Sequence, residues 1–470
     1  MTIPTQHLLD KAATEIQKGK YAQAQRLLKK ALREAPNSAQ VHHYLGLIAY
    51  QQHEYTVATE HIARSLSLQN NDPVVHHNYG LALLACNKTA ESLGAFKQAL
   101  ALDPLYTEAW LNCGNVQRRL QNLSQACSDY EKALSIDPFF TDALNNLGLT
   151  KRHLGRLAES VDVLERCLEI QPNHHFALNN LGLTRQIMGD YLAAKALFDR
   201  AIELAPSYVE GHVNLGNLLL QTNDFASASE HYEVAYRLAP NLDLLAGYLT
   251  QSKAMQCQWN GLEAQWRKIE KQIDQGQLPC SPFELLSFCD DPRRSLVVAR
   301  RYAQRHVHRP QVNPPSFEHK PVGQKLRLGY ISSDFRDHPV AYLTVGILEA
   351  HDRSSVEVFG FAIQPPQDTA LGQRMRQSVD HFIDLSKLND ADAVDAIRQH
   401  DIDIAIDLNG YIEGCRPSIF KARVAPVQVN YYGYPGTMGA DFIDYIIGDP
   451  SLIPESLRDQ YQEKIIYLPD

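Results

Sequence analysis

Glycine recurs every 34 residues through the first half of this chain, at positions 46, 80, 114, 148, 182 and 216. Proline keeps the same period at 36, 104, 138, 172, 206 and 240, with Asn70 at the one step it misses. Small residues hold a third phase at 24, 58, 92, 126, 160, 194 and 228, and Phe96, Tyr130, Leu164, Phe198 and Tyr232 hold a fourth. A fixed period of this length means stacked copies of one supersecondary unit. The small positions let two helices approach, a large residue fills the gap beside them, and the proline stops the second helix. One such hairpin cannot bury its apolar face alone. Seven, starting near 5, 39, 73, 107, 141, 175 and 209, are therefore expected to stack into an α solenoid over residues 5–240, with a concave inner surface.

The pattern resembles the tetratricopeptide repeat in every unit, which implies a protein or extended peptide as partner. A further column has the same period: Asn78, Asn112, Asn146, Asn180 and Asn214. Each lies on the first helix of its hairpin beside the leucine-glycine packing pair, where it is expected to face the inner groove. A primary amide both donates and accepts, which suits the backbone of an extended peptide of any sequence. Asparagine is also a common structural choice at this position, and spacing leaves both roles open. His42, His76 and His212 share one packing phase with Trp110 and Leu144, which points to a wall or core role rather than metal ligation.

A formal net charge of −9 argues against a general nucleic-acid binder. The start, MTIPTQHLLDKAATEIQ, has no basic and then apolar leader, and no apolar run is long enough to span a membrane. The eight cysteines are scattered with no CxxC pair, so neither a disulfide frame nor a zinc site is expected, and a reducing, cytoplasmic setting is.

After Pro240 the period stops. Trp259, Leu262, Trp266, Ile269 and Ile273 suggest an amphipathic helix capping the solenoid, and Pro292 opens a helix rich in arginine that reads as a solvated or docking face. Residues 309–324 read as a proline-rich linker, completing a middle segment of 241–324. From Lys325 apolar runs alternate with helical segments: KLRLGYIS, VEVFGFAI, HFIDLS, DIDIAIDLNG, PVQVNYYG, FIDYIIGD and KIIYL are strand candidates. Helices are expected near 339–350, 368–380 and 388–400. This alternation predicts a mostly parallel, Rossmann-like α/β lobe over 325–470, with ligands at the carboxyl ends of its strands.

Two motifs fall at such ends. In Gly-Tyr-Ile-Ser-Ser-Asp-Phe-Arg-Asp-His-Pro (329–339), Pro339 suits a first helical turn and sets His338 at the helix N-terminus. There the imidazole is disfavoured as a cation and is able to take a proton, with Asp334 near enough to orient it. Spacing leaves open the plainer reading, in which His338 caps the helix and Asp334 satisfies loop amides. In Tyr-Tyr-Gly-Tyr-Pro-Gly-Thr-Met-Gly-Ala (431–440), Gly433, Gly436 and Gly439 suggest a backbone that admits a sugar or phosphate closely. Asp401-Ile-Asp403 sits where a strand begins and reads as structural rather than metal-binding.

LRLGYISSDFRDHP, then HFIDLS, DLNGY and YYGYPGTMGADFIDYIIGD, are similar to segments of the O-linked N-acetylglucosamine transferases and SPINDLY-type proteins of glycosyltransferase family 41. These carry tetratricopeptide repeats before a two-lobed GT-B enzyme. The resemblance implies an inverting transfer of N-acetylglucosamine from UDP-N-acetylglucosamine to protein Ser or Thr hydroxyls, with no metal or other cofactor. It makes His338 the base or positioning histidine, Asp334 the aspartate of the same motif, and Gly433, Tyr434, Pro435, Gly436 and Thr437 the sugar-lining turn. The last strand, near Tyr467, then belongs to the first lobe, the second is expected to be absent, and the 470 residues alone are not expected to turn over the donor. A non-catalytic peptide-binding scaffold and a SPINDLY-type O-fucosyltransferase are the alternatives.

Overall fold

The computed structural model describes residues 3–310, 312–317 and 323–469, so the expected linker at 309–324 falls partly outside the described residues. The chain forms two compact units, Met1–Thr184 and Arg185–Asp470. Among the described residues no helix is long and apolar enough to cross a membrane.

The first unit is built of helix pairs: Ile3–Gln17 with Tyr21–Glu34, Ala39–Gln51 with Tyr55–Leu68, Pro73–Ala85 with Thr89–Leu102, Thr107–Arg119 with Leu123–Ile136, and Thr141–His153 with Leu157–Ile170. The glycine and large-residue phases prove to be two sides of one contact. A Cβ on Gly80 would stand 2.5 Å from the Phe96 ring, and one on Gly148 would stand 2.5 Å from Leu164 Cγ. Phe96, Tyr130 and Leu164 are fully buried there. The His42 phase is structural too. His42 Nε2 lies 3.3 Å from the Pro36 carbonyl oxygen, His76 Nε2 2.8 Å from that of Asn70, and Trp110 Nε1 2.9 Å from that of Pro104. A ring N–H at this phase thus ties these three first helices to the turns before them.

A fifth phase of the period lies in conformation rather than in residue type. The turn inside each hairpin carries one left-handed residue, Gly19, His53, Asn87, Gln121 and Gly155, with φ between 60° and 74°. Gly and Asn adopt this readily, whereas His53 and Gln121 bear a Cβ penalty of about 1 kcal/mol.

The second unit continues the repeats through Tyr191–Leu204, Val209–Gln221 and Phe225–Leu238, followed by Leu245–Met255, Leu262–Asp274, Pro282–Leu286 and Pro292–Arg305. Ile269 and Ile273 are buried as the amphipathic pattern requires, and Trp266 stacks on Phe288 at 5.9 Å, but Trp259 precedes the helix and is 64% exposed. The arginines of the Pro292–Arg305 helix dock it. Arg294 reaches Glu270 at 2.9 Å, Arg301 donates to the Ile273 and Gln277 carbonyls, and Arg300 donates to Gln462 at 2.6 Å. This helix contributes to two cores at once: Val298 belongs to the cluster of Ile269, Ile273 and Leu285, while Ala299 and Ala303 belong to the cluster that holds the sheet residues Phe359 and Phe361.

Glu284 is buried in the first of these cores and accepts from the Ser281 amide at 2.8 Å. Burial raises its carboxyl to about 7, against the opposing pull of the Ser281 bonds. A carboxyl raised on folding contributes its full stability below its unfolded pKa and loses it as pH rises through the folded value. Glu284→Gln is therefore expected to leave the melting temperature nearly unchanged at pH 4 and to raise it at pH 8. The gain should reach about 3 kcal/mol. Thermal melts of both proteins across this range check it; a gain confined to acid pH would contradict the argument.

The α/β part is one all-parallel sheet with strand order β3-β2-β1-β4-β5-β6-β7. The strands are β1 Leu326–Ser332, β2 Val356–Ala362, β3 His381–Asp384, β4 Ile404–Asp407, β5 Val427–Asn430, β6 Tyr445–Gly448 and β7 Lys464–Tyr467. Helices Pro339–Ala350, Ala370–Gln377, Asp390–Arg398 and Pro417–Lys421 connect them, and separate buried clusters cover the two faces. The chain runs outward from β1 to β3 and returns on the other side of β1 as β4. The loops leaving β1 and β4 therefore diverge and open a crevice at the carboxyl edge. Asp403 accepts from the Arg327 amide at 2.7 Å and Asp401 lies 3.6 Å from the Arg327 guanidinium, so this pair braces the opposite end of β1.

Candidate active site

Both motifs of the α/β part lie on loops at the crevice. The loop after β1 carries Asp334, 1% exposed, and ends at His338, which caps the Pro339–Ala350 helix. His338 Nδ1 lies 3.3 Å from the Val340 amide and 3.4 Å from Asp334 Oδ2. One nitrogen cannot serve both. It accepts from the amide only when it carries no proton, and it donates to the carboxylate only when it does. The two roles left open by the sequence are thus two tautomers of one ring, and in the second Nε2 holds the lone pair.

Asp334 is fixed by two further side chains. Arg336 forks onto Oδ1 at 3.2 and 3.3 Å, and Oδ2 accepts from Asn409 Nδ2 at 2.9 Å. Asn409 also accepts from the Ser333 amide at 2.8 Å and donates to the Ser333 hydroxyl at 2.7 Å. It is held in turn by Asp407, the last residue of β4, whose Oδ1 accepts from the amides of Asn409 and Gly410 at 2.9 and 3.0 Å. Burial raises the Asp407 carboxyl to about 6 in spite of those two amides. Asn409 is the residue that sequence reasoning missed, although DLNG at the end of a strand was a usable signal.

The glycine turn after β5 corrects several expectations. Tyr434 is 1% exposed and stacks edge-on with Tyr411 at 5.5 Å, so its ring belongs to the core and not to a sugar surface. Thr437 is 2% exposed, and its hydroxyl donates to Glu463 Oε2 at 2.7 Å. Glu463 Oε1 also accepts from the Met438 amide, and burial raises this carboxyl. The glycines make room for protein. A Cβ on Gly433 would strike the Leu408 carbonyl oxygen, one on Gly436 would stand 2.6 Å from the Tyr434 hydroxyl, and one on Gly439 would stand 2.6 Å from the Arg300 amide. Gly433 and Pro435 keep partial exposure, whereas Gly436 is buried. No sequence signal marked Glu463.

The asparagine column has partners of its own. Asn78 donates to His43 Nε2 at 3.0 Å, Asn112 to His77 Nε2 at 2.9 Å, Asn146 to Asn115 Oδ1 at 2.9 Å, and Asn180 to Asn145 Oδ1 at 2.9 Å. Each bond reaches the preceding repeat. Asn78, Asn112, Asn146 and Asn214 stay half-exposed, and Asn180 is buried. Burial lowers the pKa of His43 and His77, favouring neutral rings that accept from these amides.

Comparison with known proteins accords with this architecture. Residues 256–470 match the model of glycosyltransferase family 41, and tetratricopeptide-repeat models match 9–73, 79–139, 140–207 and 175–241. The chain is 35% identical over 228 residues to the probable UDP-N-acetylglucosamine–peptide N-acetylglucosaminyltransferase SEC of Arabidopsis thaliana, covering 45% of this chain and 23% of that protein. It is 36% identical over 228 residues to the UDP-N-acetylglucosamine–peptide N-acetylglucosaminyltransferase of Caenorhabditis elegans, covering 45% and 20%. The matched part thus spans under a quarter of these relatives. A solved mutant of the Thermobaculum terrenum O-GlcNAc transferase aligns at 28% identity over 70% of this chain and 57% of that one, with a TM-score of 0.45. The chain thus carries tetratricopeptide repeats followed by a region that matches the glycosyltransferase family 41 model.

Proposed function

We propose that this chain forms the peptide-holding repeats and the first lobe of a protein O-linked N-acetylglucosaminyltransferase acting in a reducing, cytoplasmic setting. The observation that carries the reading is the His338–Asp334 pair, 3.4 Å apart, at the switch-point crevice of a family 41 domain. An acceptor segment is held by the half-exposed Asn78, Asn112 and Asn146, each amide keeping its remaining hydrogen-bonding capacity for peptide backbone. Its Ser or Thr hydroxyl gives its proton to His338 Nε2 while Asp334 accepts from Nδ1–H. The hydroxyl oxygen then bonds to the anomeric carbon of UDP-N-acetylglucosamine with inversion, and the bond to the diphosphate breaks, releasing UDP. Gly433 and Pro435 are the half-exposed part of the turn and line the sugar by backbone and ring, in support of which Asn430 Nδ2 pins the Tyr434 carbonyl at 3.0 Å. The reading calls for no metal. The eight free thiols suit a reducing compartment.

The test is incubation of the full-length protein with radiolabelled UDP-N-acetylglucosamine and Ser/Thr-containing peptides. Label incorporated in a β-elimination-sensitive linkage is the expected result. Its absence, with peptides still bound, would favour a scaffold instead.

A further inference from the structure

Arg118 and Arg152 occupy one phase of the period, 34 residues apart, in the last turns of the helices Thr107–Arg119 and Thr141–His153. They lie on the same helices as Asn112 and Asn146, six residues further on, which sets each about 120° round the helix from its asparagine, with Asn115 midway between Asn112 and Arg118. A chain of polar contacts links Asn146 to Arg118. Asn115 accepts from Asn146 Nδ2 and from the Tyr130 hydroxyl, both at 2.9 Å, and the Tyr130 hydroxyl is also engaged with Arg118.

Among the described residues no anion is paired with these two cations. Lys151, adjacent in sequence, pairs with Glu159 at 2.6 Å and Glu131 at 3.6 Å, and Arg119 donates to Asn87 at 2.8 Å. Among the described residues no carboxylate pairs with Arg118 or Arg152, and the Nε of each is buried without an acceptor. Both side chains remain half-exposed. Loss of hydration pushes Arg152 down to about 10, and the nearby His153 is pushed down to about 4 by lost hydration and then by the charges of Arg152 and Arg118. A guanidinium partly stripped of water and left with unused donors favours an incoming carboxylate, which its planar fork matches in two bonds.

We propose that the inner face of the fourth and fifth repeats recognises acidic segments, so that the peptides held there carry Asp or Glu beside the held backbone. This rests on the peptide-holding reading above and deepens it: the asparagines take backbone of any sequence, and the arginine pair selects side chains. A peptide fits better than nucleic acid, because the chain carries a net charge of −9 and the cations here are two rather than a stripe.

The experiment is fluorescence anisotropy on the full chain with a Ser-containing peptide rich in glutamate and its glutamine isostere. The acidic peptide should bind about tenfold tighter, a preference that shrinks with added salt. Arg118→Gln with Arg152→Gln should bring the ratio near one, with affinity for the glutamine peptide and helical circular dichroism unchanged. Equal affinities in the unmodified protein, a preference that survives in the double variant, or competition by oligothymidylate as strong as by the acidic peptide would each overturn the proposal. The comparison in the unmodified protein does not depend on the variant folding. Binding is read without sugar transfer. Acidic preference in a protein that transfers nothing would thus sink the enzymatic reading alone, and equal binding in an active protein would sink only this one.

Discussion

His338→Ala in the full-length protein is expected to lower sugar transfer by about 10²-fold or more, the usual contribution of a positioned general base. The same change removes the acceptor for the Val340 amide at the helix start, which costs about 1 kcal/mol of stability. Turnover and melting temperature therefore separate the two roles of the ring. A cap alone predicts a lower melting temperature with normal transfer; a base predicts lost transfer with a small thermal shift. His338→Asn refines the comparison, because asparagine caps helices well and carries no basic nitrogen. It should keep the fold and still lose activity. Normal transfer by the asparagine variant would return His338 to a purely structural place.

Asn409→Leu is expected to damage both stability and turnover. The amide side chain makes three bonds, to the Ser333 amide, the Ser333 hydroxyl and Asp334 Oδ2, in a site where Ser333, Asp334 and Asn409 are each 1% exposed. Removing it leaves buried groups without partners, each costing about 1–3 kcal/mol. Asp334 would also lose one of the contacts that aim it at His338. A loss of several kcal/mol in chemical denaturation is expected, accompanied by a fall in kcat larger than any rise in KM. Asn409→Asp fills the same volume and keeps an acceptor for the Ser333 amide, but sets a second carboxylate against Asp334. It should fold better than the leucine variant and still lose turnover, because the repelled Asp334 no longer aims His338. Normal turnover in this variant would mean that Asn409 only supports the loop.

How much could be read from the sequence divides along physical lines. The 34-residue period announced the hairpins because stacking repeats the same contact, and Gly80 against Phe96 is that contact seen once. The seven strand candidates were readable as apolar runs between helical segments. The left-handed turn residues were not, because His53, Asn87, Gln121 and Gly155 share a backbone conformation and no side-chain property. The glycine turn misled for a related reason. A glycine reports that something comes close, and only the fold tells whether it is a ligand or, as at Gly439, the backbone of a helix from far away in sequence. Long-range partners such as Glu463 under Thr437 leave no local mark at all. Of the crevice, the loop after β1 was legible because its proline and histidine fix a helix start; the bridge to it from β4 was not.

The Pro292–Arg305 helix bears on where the second unit can be divided. Because Val298 belongs to the cap's core while Ala299 and Ala303 belong to the sheet's, neither body is closed without it. Proline-rich spacers invite the scissors, and the one at 309–324 is the obvious place to cut when the α/β part is wanted alone. A polypeptide starting at Lys325 would be missing part of its own interior, with the cluster that holds Phe359 and Phe361 losing Ala299 and Ala303. The two cores share this helix, so a cut at the spacer does not separate them into two closed bodies.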